Sequence, residues 1–199
     1  MILEKVNENP FEQFKIWYQE ANKIETVPII ETMCLSTIDA NGFPDSRVVL
    51  LKSFDEDGFT FYTNLNSVKC KHLEKNPFAS LCFHWQNLKR QVRIQGKVSQ
   101  VLDSIADEYF ASRPRGSQIG AWASEQSEVL ASREILLKKV TDFEKKFENQ
   151  EIPRPDFWSG FVVKPFKIEF WQDQENRLHD RFQYSLQNDN SWKIVRLNP

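Results

Sequence analysis

Residues 32–64 decide the fold, and they read TMCLSTIDANGFPDSRVVLLKSFDEDGFTFYTN. Three runs rich in β-branched, aliphatic and aromatic residues, TMCLSTID, SRVVLLKSF and FTFYTN, are separated by the turn dipeptides Asn41-Gly42 and Asp57-Gly58. Such dipeptides favour tight turns between neighbouring antiparallel strands. The segment therefore predicts three successive strands joined by hairpins.

Similar runs occur on both sides of the middle of the chain. FASLCFHW and RQVRIQGKVSQV, within residues 78–101, predict another hairpin. Three more strands are predicted near the end from GFVVKPFKIEFWQ, RLHDRFQYSL and SWKIVRL, with the turn signals DQEN and NDNS between them. The short connections imply antiparallel pairing.

Helices are predicted before and between these strand-rich parts. Asn9, Pro10 and Glu12 form a capping arrangement for a helix at about residues 9–22. The middle, about residues 103–149, reads as helical and ends in a long helix over roughly residues 127–149. Without a repeat or a flexible linker, residues 1–199 are expected to form a single domain. The expected fold is mainly β with flanking helices, an antiparallel β-barrel or sandwich.

Composition excludes several classes of function. The 199 residues carry 26 Lys and Arg against 28 Asp and Glu, a net charge of −2 that disfavours nucleic acid and acidic membrane surfaces. The six glycines form neither glycine-rich phosphate-binding motif, so any phosphate must be bound by side chains. Neither the cysteines nor the histidines show metal-ligand spacing, and no metal is expected. No signal peptide or apolar span is visible, which predicts a cytoplasmic protein with reduced thiols.

The segment RLHDRF is the first candidate for a functional cluster. On a strand, Arg177, His179 and Arg181 share one face at intervals of about 6.6 Å. This face is either a solvated outer surface or a wall that binds an anion or a ring, with His179 able to change charge near neutral pH.

A second cluster surrounds the sequence SRPRGSQIG. Tyr109 and Arg113 are four residues apart and share a helix face, so their ends can converge on one ligand. Ser117 is expected to begin another helical turn with free backbone N–H groups, which suit a phosphate. A surface corner without function is the alternative.

Cations also occur around the second predicted strand. Arg47 and Lys52 have an odd separation, which places them on opposite faces of a regular strand and suggests two anion sites. Tyr62, Thr63 and Lys69 lie at a predicted junction of strand and helix, again compatible with phosphate. An exposed strand with charged ends is equally compatible with the pattern.

Taken together and in order, these segments resemble one family, the pyridoxamine/pyridoxine 5′-phosphate oxidases. The matching segments are RVVLLK at 47–52, YTN at 62–64, RQVRIQG at 90–96, SRPRGSQIGAW at 112–122, EFW at 169–171, RLHDRF at 177–182 and WKIVRLNP at 192–199. The resemblance implies an FMN-binding split β-barrel that forms a homodimer with FMN at the dimer interface. It also implies oxidation of pyridoxamine or pyridoxine 5′-phosphate to pyridoxal 5′-phosphate in vitamin B6 biosynthesis or salvage, with O2 as the electron acceptor.

The resemblance also assigns residues. The implied FMN-binding residues are Arg47, Val48, Val49, Leu50, Leu51, Lys52, Tyr62, Thr63, Lys69, Gln91, Gln126, Ser127, Trp171 and Arg181. The implied substrate-binding residues are Lys52, Tyr109, Arg113, Ser117, Arg177 and His179. Arg177 and His179 are the implied catalytic pair, which holds the pyridine ring and stabilises charge that develops there.

Two departures from the family pattern are visible. Val68 stands where the family commonly has arginine after a serine, which predicts weaker retention of FMN. The basic N-terminal arm of some members has no counterpart before the first helix, so closure of the site is expected to differ. Three alternatives stay open: a non-catalytic flavin- or pyridoxal-phosphate-binding protein, a flavin reductase with another substrate, and a nucleic-acid-binding barrel.

Overall fold

Nine antiparallel strands form one curled sheet in the computed structural model, which describes residues 3, 5–24 and 29–199. The strands are β1 Thr32–Ile38, β2 Pro44–Leu50, β3 Ser53–Asp55, β4 Gly58–Asn64, β5 Phe78–Trp85, β6 Arg90–Gln100, β7 Trp158–Gln172, β8 Asp180–Leu186 and β9 Trp192–Leu197. The sheet order is β2-β1-β5-β6-β7-β4-β3, with β8 paired to β7 and β9 paired to β8. The antiparallel architecture predicted from the hairpin turns is confirmed.

Strand β7 is where the sheet divides. One side of β7 pairs with β6, while on its other side the first half pairs with β4 and the second half with β8. The register with β6 shifts between Gln95 and Gly96, so that Gln95 pairs with Lys167 and Gly96 with Pro165. A bulge of this kind bends a strand and increases its twist, which separates the two partners on the far side of β7.

Five α-helices accompany the sheet in the described part of the chain: α1 Pro10–Ile24, α2 Val68–Lys75, α3 Asp103–Ser112, α4 Arg115–Ala123 and α5 Arg133–Lys146. Helix α1 begins as the capping pattern predicts, because Asn9 Oδ1 accepts hydrogen bonds from the amides of Phe11 (2.8 Å) and Glu12 (3.3 Å). No helix within residues 5–24 and 29–199 is both long and apolar enough to cross a membrane.

Helix α1 packs its buried side against the inner face of the curled sheet. The ring of Phe14 lies 4.9 Å from that of Phe59 on β4 and 5.1 Å from that of Phe83 on β5. These two strands are not neighbours in the sheet order, so the sheet must curl for both to contact one ring. Burying such an aromatic side chain stabilises the fold by about 1.5–3 kcal/mol.

A second, smaller core joins α3, α4 and α5 to the start of β7. It contains Phe110, Ile119, Phe147, Ile152 and Trp158. Arg154 adds a polar connection, donating to Asp107 Oδ1 (2.6 Å) and Asp103 Oδ1 (2.9 Å) on α3 and to the carbonyl of Trp158 (2.7 Å). The first half of α3 is thereby held against the start of β7.

Near the termini, Asp180 at the start of β8 ties three segments together. Its carboxylate accepts hydrogen bonds from the Leu3 amide (3.0 Å), Gln174 Nε2 (2.7 Å) and Arg196 Nη1 (2.6 Å). Burial raises the pKa of this carboxyl, but the three donors outweigh burial and lower the pKa below its usual value.

The predicted long helix over residues 127–149 is wrong at its start. Helix α5 begins only at Arg133, and Ser127 has a φ of 75°. A left-handed residue cannot continue a right-handed helix, so residues 127–132 form an irregular segment. Leu130 and Leu137, expected on an apolar face, are 47% and 51% exposed.

The predicted strand SRVVLLKSF is broken in two. Strand β2 ends at Leu50 and β3 begins at Ser53. Between them the chain changes partners, because the Leu51 amide donates to the Glu31 carbonyl while the Lys52 amide donates to the Thr60 carbonyl, each at 2.8 Å. The apolar pattern of the sequence continues through Leu51, although the pairing of β2 with β1 ends at Leu50.

RLHDRF is not a continuous strand either. Residues Glu175–Arg177 form a tight turn, in which Asn176 and Arg177 have left-handed φ values of 55° and 61°. Strand β8 starts only at Asp180. The expected common face of Arg177, His179 and Arg181 is therefore wrong, because the turn interrupts the alternation of side chains.

Candidate active site

A cavity of about 740 Å³ lies where β2, β4, α2 and the α3–α4 connection meet. Most of the residues assigned by sequence line it: Arg47, Val48, Val49, Leu50, Lys52, Tyr62, Thr63, Lys69, Tyr109, Arg113, Ser117, Gln126 and Ser127. The structure thus brings the implied cofactor-binding and phosphate-binding sets together in one concave site. Such a size suits a ligand as large as a small cofactor.

Arg47, on β2, is held by strand β1 and by its own strand. Its Nη1 donates to Thr37 Oγ1 (2.7 Å) and to the Leu35 carbonyl (3.3 Å), and its Nη2 donates to the carboxylate of Asp45. The guanidinium is consequently oriented before any ligand arrives. One of its counter-charges is a carboxylate that also lines the cavity.

Lys52 lines the same cavity as Arg47, so the predicted placement of the two side chains on opposite faces of one regular strand is wrong. The odd spacing loses its meaning because β2 ends at Leu50, two residues before Lys52. Lys52 Nζ is paired with Glu31 Oε2 at 2.6 Å. Both cations of this segment therefore have a carboxylate partner.

Lys69 lies at the junction of β4 and α2, as the sequence predicts for YTN and the following helix. Its ammonium group donates to Gln126 Oε1 (2.9 Å), Thr63 Oγ1 (3.0 Å) and Ser67 Oγ (3.1 Å). All three acceptors are uncharged, and Lys69 has no ion pair with a carboxylate in the part of the chain that is described. Burial lowers the pKa of this amine, because the charged form is desolvated.

An aromatic wall closes one side of the cavity. The rings of Tyr62 and Tyr109 stack with centroids 3.9 Å apart, and Trp158 stacks on Tyr62 at 5.3 Å. Gly160 lies directly across from Tyr62 in the β4–β7 pair. A Cβ at Gly160 would approach Tyr62 Cε1 to 2.6 Å, so only glycine leaves room for this ring.

Arg113 follows the end of α3, and its side chain is packed under the aromatic wall. Its guanidinium carbon lies 4.8 Å from the ring centre of Trp158 and 5.6 Å from that of Phe110. Its Nη1 is buried and has no hydrogen-bond partner within the described residues. Burial lowers the pKa of this guanidinium. A buried guanidinium N–H group without an acceptor is energetically costly and favours an anionic ligand.

Ser117 offers its side chain rather than its backbone to the cavity. Helix α4 begins at Arg115, and the Ser117 amide already donates to the Pro114 carbonyl at 2.8 Å. The predicted free N–H of Ser117 is therefore wrong. Ser117 lines the cavity together with Tyr109 and Arg113.

Six assigned residues lie elsewhere than on the cavity wall. Leu51 is buried in the main core. The others belong to the region formed by β6, β7 and β8: Gln91, Trp171, Arg177, His179 and Arg181. Gln91 pairs with Trp171 across β6 and β7, and Trp171 pairs with Arg181 across β7 and β8.

This second region also has internal order. The His179 ring lies 4.6 Å from the Trp171 ring, and its Nδ1 is 3.2 Å from the Gln174 amide and 3.1 Å from Asp173 Oδ1. Arg181 donates to Glu169 Oε1 at 2.9 Å. A carboxylate thus compensates the charge of Arg181, and a second carboxylate, that of Asp173, lies beside the His179 ring.

Trp158 and Gly160 are the functional positions that sequence reasoning missed. Both lie in strand β7, whose sequence pattern indicates only burial. Trp158 contacts Tyr62 and Arg113, and Gly160 lies against Tyr62, and these partners are distant in sequence. Asp45 and Glu31 were also missed, although each neighbours an assigned cation. Metal chemistry gains no support, because no group of three or more His, Cys, Asp or Glu side chains within residues 5–24 and 29–199 has a metal-binding arrangement.

Comparison with family models accounts for most of the chain. Residues 23–147 match the model of pyridoxamine 5′-phosphate oxidase. Residues 158–199 match the model of the pyridoxine 5′-phosphate oxidase C-terminal dimerisation region. The first match includes the cavity residues from Arg47 to Ser127, and the second includes the region around Trp171 and His179.

Curated relatives are similar over nearly the whole chain. The pyridoxine/pyridoxamine 5′-phosphate oxidase of Trichormus variabilis is 51% identical over 195 residues, covering 98% of this chain and 91% of the relative. That of Aliarcobacter butzleri is 45% identical over 198 residues, covering 99% and 92%. Similarity of this extent leaves no large segment of the chain without a counterpart.

Solved structures share the fold. PhzG from Burkholderia lata, determined with tetrahydrophenazine-1-carboxylic acid, is 28% identical, with a TM-score of 0.91 and coverage of 97% of this chain and 94% of that one. A pyridoxamine 5′-phosphate oxidase-related, FMN-binding protein from Nostoc punctiforme is 16% identical with a TM-score of 0.78, covering 98% and 100%. The nine-stranded sheet is thus a split β-barrel. The matches to the family models and the relatives of about 50% identity show that this chain is an oxidoreductase of the pyridoxamine 5′-phosphate oxidase family.

Proposed function

We propose that this protein is an FMN-dependent oxidase that converts pyridoxamine 5′-phosphate and/or pyridoxine 5′-phosphate into pyridoxal 5′-phosphate, with O2 as the electron acceptor. The names of the half-identical relatives support this reaction. We place it in vitamin B6 biosynthesis or salvage. A cytoplasmic location belongs to the same proposal, since Cys34, Cys70 and Cys82 are all free thiols.

The observation that carries the proposal is the buried Nη1 of Arg113, which has no partner among the described residues. Tyr109 and Ser117 line the same cavity as Arg113, so a guanidinium-bearing and two hydroxyl-bearing side chains contribute to its wall. A phosphate ester would accept bonds from all three, and a charge-assisted bond contributes about 1.5–3 kcal/mol. This donor set favours a phosphorylated substrate over an uncharged one.

The remaining cations of the cavity fit a second phosphate ester, that of FMN. Arg47 and Lys69 would hold its phosphate, with Thr63 and Ser127 as hydroxyl donors, and the backbone of β2 would lie along it. Lys69 supports this assignment because it is buried among neutral acceptors only. FMN, when bound, supplies the two-electron chemistry that side chains lack.

Arg177 and His179 are proposed to hold the pyridine ring and to stabilise charge that develops on it. They are not among the residues that line the cavity of their own chain. In the proposed homodimer, this pair, with Gln91, Trp171 and Arg181, completes the cavity of the second subunit. The match of residues 158–199 to a dimerisation region and the 67% exposure of Val48 support such an arrangement.

The reaction is tested by aerobic incubation of the FMN-loaded protein with pyridoxamine 5′-phosphate, pyridoxine 5′-phosphate and unphosphorylated pyridoxamine. We expect pyridoxal 5′-phosphate and hydrogen peroxide from the phosphorylated substrates only. Binding without turnover would favour a non-catalytic flavin or pyridoxal-phosphate protein. Flavin reduction by a different donor, with no pyridoxal 5′-phosphate formed, would favour a flavin reductase.

The shared site is tested by subunit complementation. Assayed at a substrate concentration below the wild-type KM, the Arg113→Ala and His179→Ala chains are each expected to form dimers with little activity, one lacking a cavity residue and the other a ring-binding residue. After unfolding and refolding as an equal mixture, activity should return to about a quarter of the wild-type value, since about half the dimers are hybrids with one intact site of two. If both residues serve the site of their own chain, the mixture stays inactive.

A further inference from the structure

Arg113 differs from the paired cations of the cavity in what holds it. Arg47 and Lys52 each contact a carboxylate, that of Asp45 and that of Glu31. Arg113 has no ion pair with any side chain in residues 5–24 and 29–199, and its Nη1 is left without an acceptor. The face of an indole, that of Trp158, lies against its guanidinium instead.

Trp158 is itself firmly placed. Its side chain is 6% exposed, and its ring packs on Tyr62 and edge-to-face on Phe110 at 5.1 Å. Its carbonyl accepts the bond from Arg154 that also ties α3 to β7, and its amide donates to the Pro155 carbonyl at 3.0 Å. The indole is therefore a fixed surface and not a mobile side chain.

A carboxylate and an indole face hold a guanidinium in different ways, and the difference determines whether its N–H groups can still bind an anion. A carboxylate attracts a guanidinium but occupies its N–H groups and cancels its charge. The face of an indole attracts the same cation through the ring quadrupole and leaves the N–H groups at the edge unoccupied. Trp158 thus orients the charge without competing with an anion.

We propose that Trp158 is a positioning residue for the phosphate of the substrate: it holds the Arg113 guanidinium by stacking and does not occupy the N–H donors of that group. This inference rests on the proposed function, since it assigns the phosphate to Arg113. It adds a residue that acts through Arg113 rather than by a bond of its own to the phosphate.

The experiment compares binding of pyridoxal 5′-phosphate and of unphosphorylated pyridoxal to the FMN-loaded protein by calorimetric titration. Trp158→Leu should lower the preference for the phosphorylated ligand about two- to thirty-fold, the range expected for a cation–π contact. Trp158→Phe, with a smaller ring, should retain part of that preference and serves if the leucine variant does not fold. A general loosening of the pocket would weaken both ligands alike and leave the ratio unchanged.

Trp17 provides a matched control. It is 2% exposed, lies in α1 away from the cavity, and has the Arg90 guanidinium over its ring at 4.4 Å. Trp17→Leu should lower the stability of the protein but leave the ratio of the two affinities unchanged.

A double-mutant cycle separates this inference from the proposed function. In an Arg113→Ala background, Trp158→Leu should cause no further loss of the preference for phosphate. An unchanged ratio in folded Trp158→Leu, or an equal loss in both backgrounds, would overturn the positioning role while the proposed function stands. If the wild-type protein itself shows no preference for the phosphorylated ligand, the proposed function fails and the role of Trp158 fails with it.

Discussion

Gly160→Ala adds a single methyl group beneath the aromatic wall of the cavity. The new Cβ would lie 2.6 Å from Tyr62 Cε1 and 2.8 Å from Tyr62 Cδ1, with Val101 Cγ2 at 3.0 Å. Carbon atoms pack best at about 3.5–4.0 Å, so the Tyr62 ring must shift by about 1 Å. Because this ring is stacked on Tyr109 and Trp158, the shift also displaces the other two rings of the aromatic wall.

Overpacking of this kind costs about 1–3 kcal/mol. With a urea dependence of about 2 kcal/mol per M, a loss of about 2 kcal/mol lowers the urea midpoint by about 1 M. Affinity for FMN and for pyridoxal 5′-phosphate should fall as well, since Tyr62 and Tyr109 line the cavity. Alanine has no intrinsic disadvantage in a strand relative to glycine, so the loss must come from the contact with Tyr62.

Gly116→Ala is the matched control. Gly116 lies in α4, and an added Cβ there meets nothing within 4 Å. Alanine at an open helical position should leave stability unchanged or raise it by up to about 1 kcal/mol. The steric argument is refuted if Gly160→Ala unfolds at the wild-type urea concentration and binds both ligands with wild-type affinity.

Three further predictions concern charge. Val68 lines the cavity beside Lys69. Val68→Arg should therefore tighten FMN binding by roughly tenfold in a fluorescence titration of the apoprotein. An unchanged Kd would contradict the assignment of the FMN phosphate to this end of the cavity. Arg47→Ala should weaken the binding of FMN with little effect on the KM for the phosphorylated substrate in the FMN-saturated enzyme. Arg113→Ala should raise that KM by about tenfold or more. The reverse pattern would exchange the assignments of the two arginines. Folding lowers the pKa of Asp180, so its charge contributes stability above the unfolded pKa of about 4, and this contribution is lost as pH falls through the lower folded pKa. Asp180→Asn should therefore lower the urea midpoint at pH 7, and the difference from the wild type should shrink as pH falls below about 4. A difference that stays constant with falling pH would show that the charge of Asp180 is not what stabilises the fold.

The parts of the fold that the sequence predicts are those governed by local contacts. The Asn41-Gly42 turn connects β1 to β2, the Asp57-Gly58 turn connects β3 to β4, and Asn9 caps α1. Each of these features can be predicted because it depends on residues only a few positions away. The break after Leu50 depends on carbonyl groups of Glu31 and Thr60, which are distant in sequence. A pattern of apolar residues carries no information about such a change of partner.

The same distinction explains what was found and missed in the site. Tyr109, Arg113 and Ser117 are close in sequence, and all three line the cavity. The predicted common helix face of Tyr109 and Arg113 is wrong, because α3 ends at Ser112 and Arg113 lies in the extended connection to α4. Trp158 and Gly160 reach the site only through the register of β7 with β4, which pairs Trp158 with Asn64 and Gly160 with Tyr62. Neither residue is unusual in its own segment, so only the three-dimensional pairing reveals its role.

The cavity divides its cations into two kinds, and the division explains how a protein with a net charge of −2 can bind anions. Arg47 and Lys52 are compensated by carboxylates, whereas Lys69 is surrounded by neutral acceptors and Arg113 by aromatic rings. Desolvation of a charge that has no counter-charge is unfavourable, and it is strongest at Lys69, which is buried. In the proposed function, the phosphates of FMN and substrate supply the missing counter-charges, and binding at a hundredfold excess over Kd would stabilise the fold by about 2.7 kcal/mol. On this proposal the preference for anions comes from these two side chains and not from the total charge of the chain.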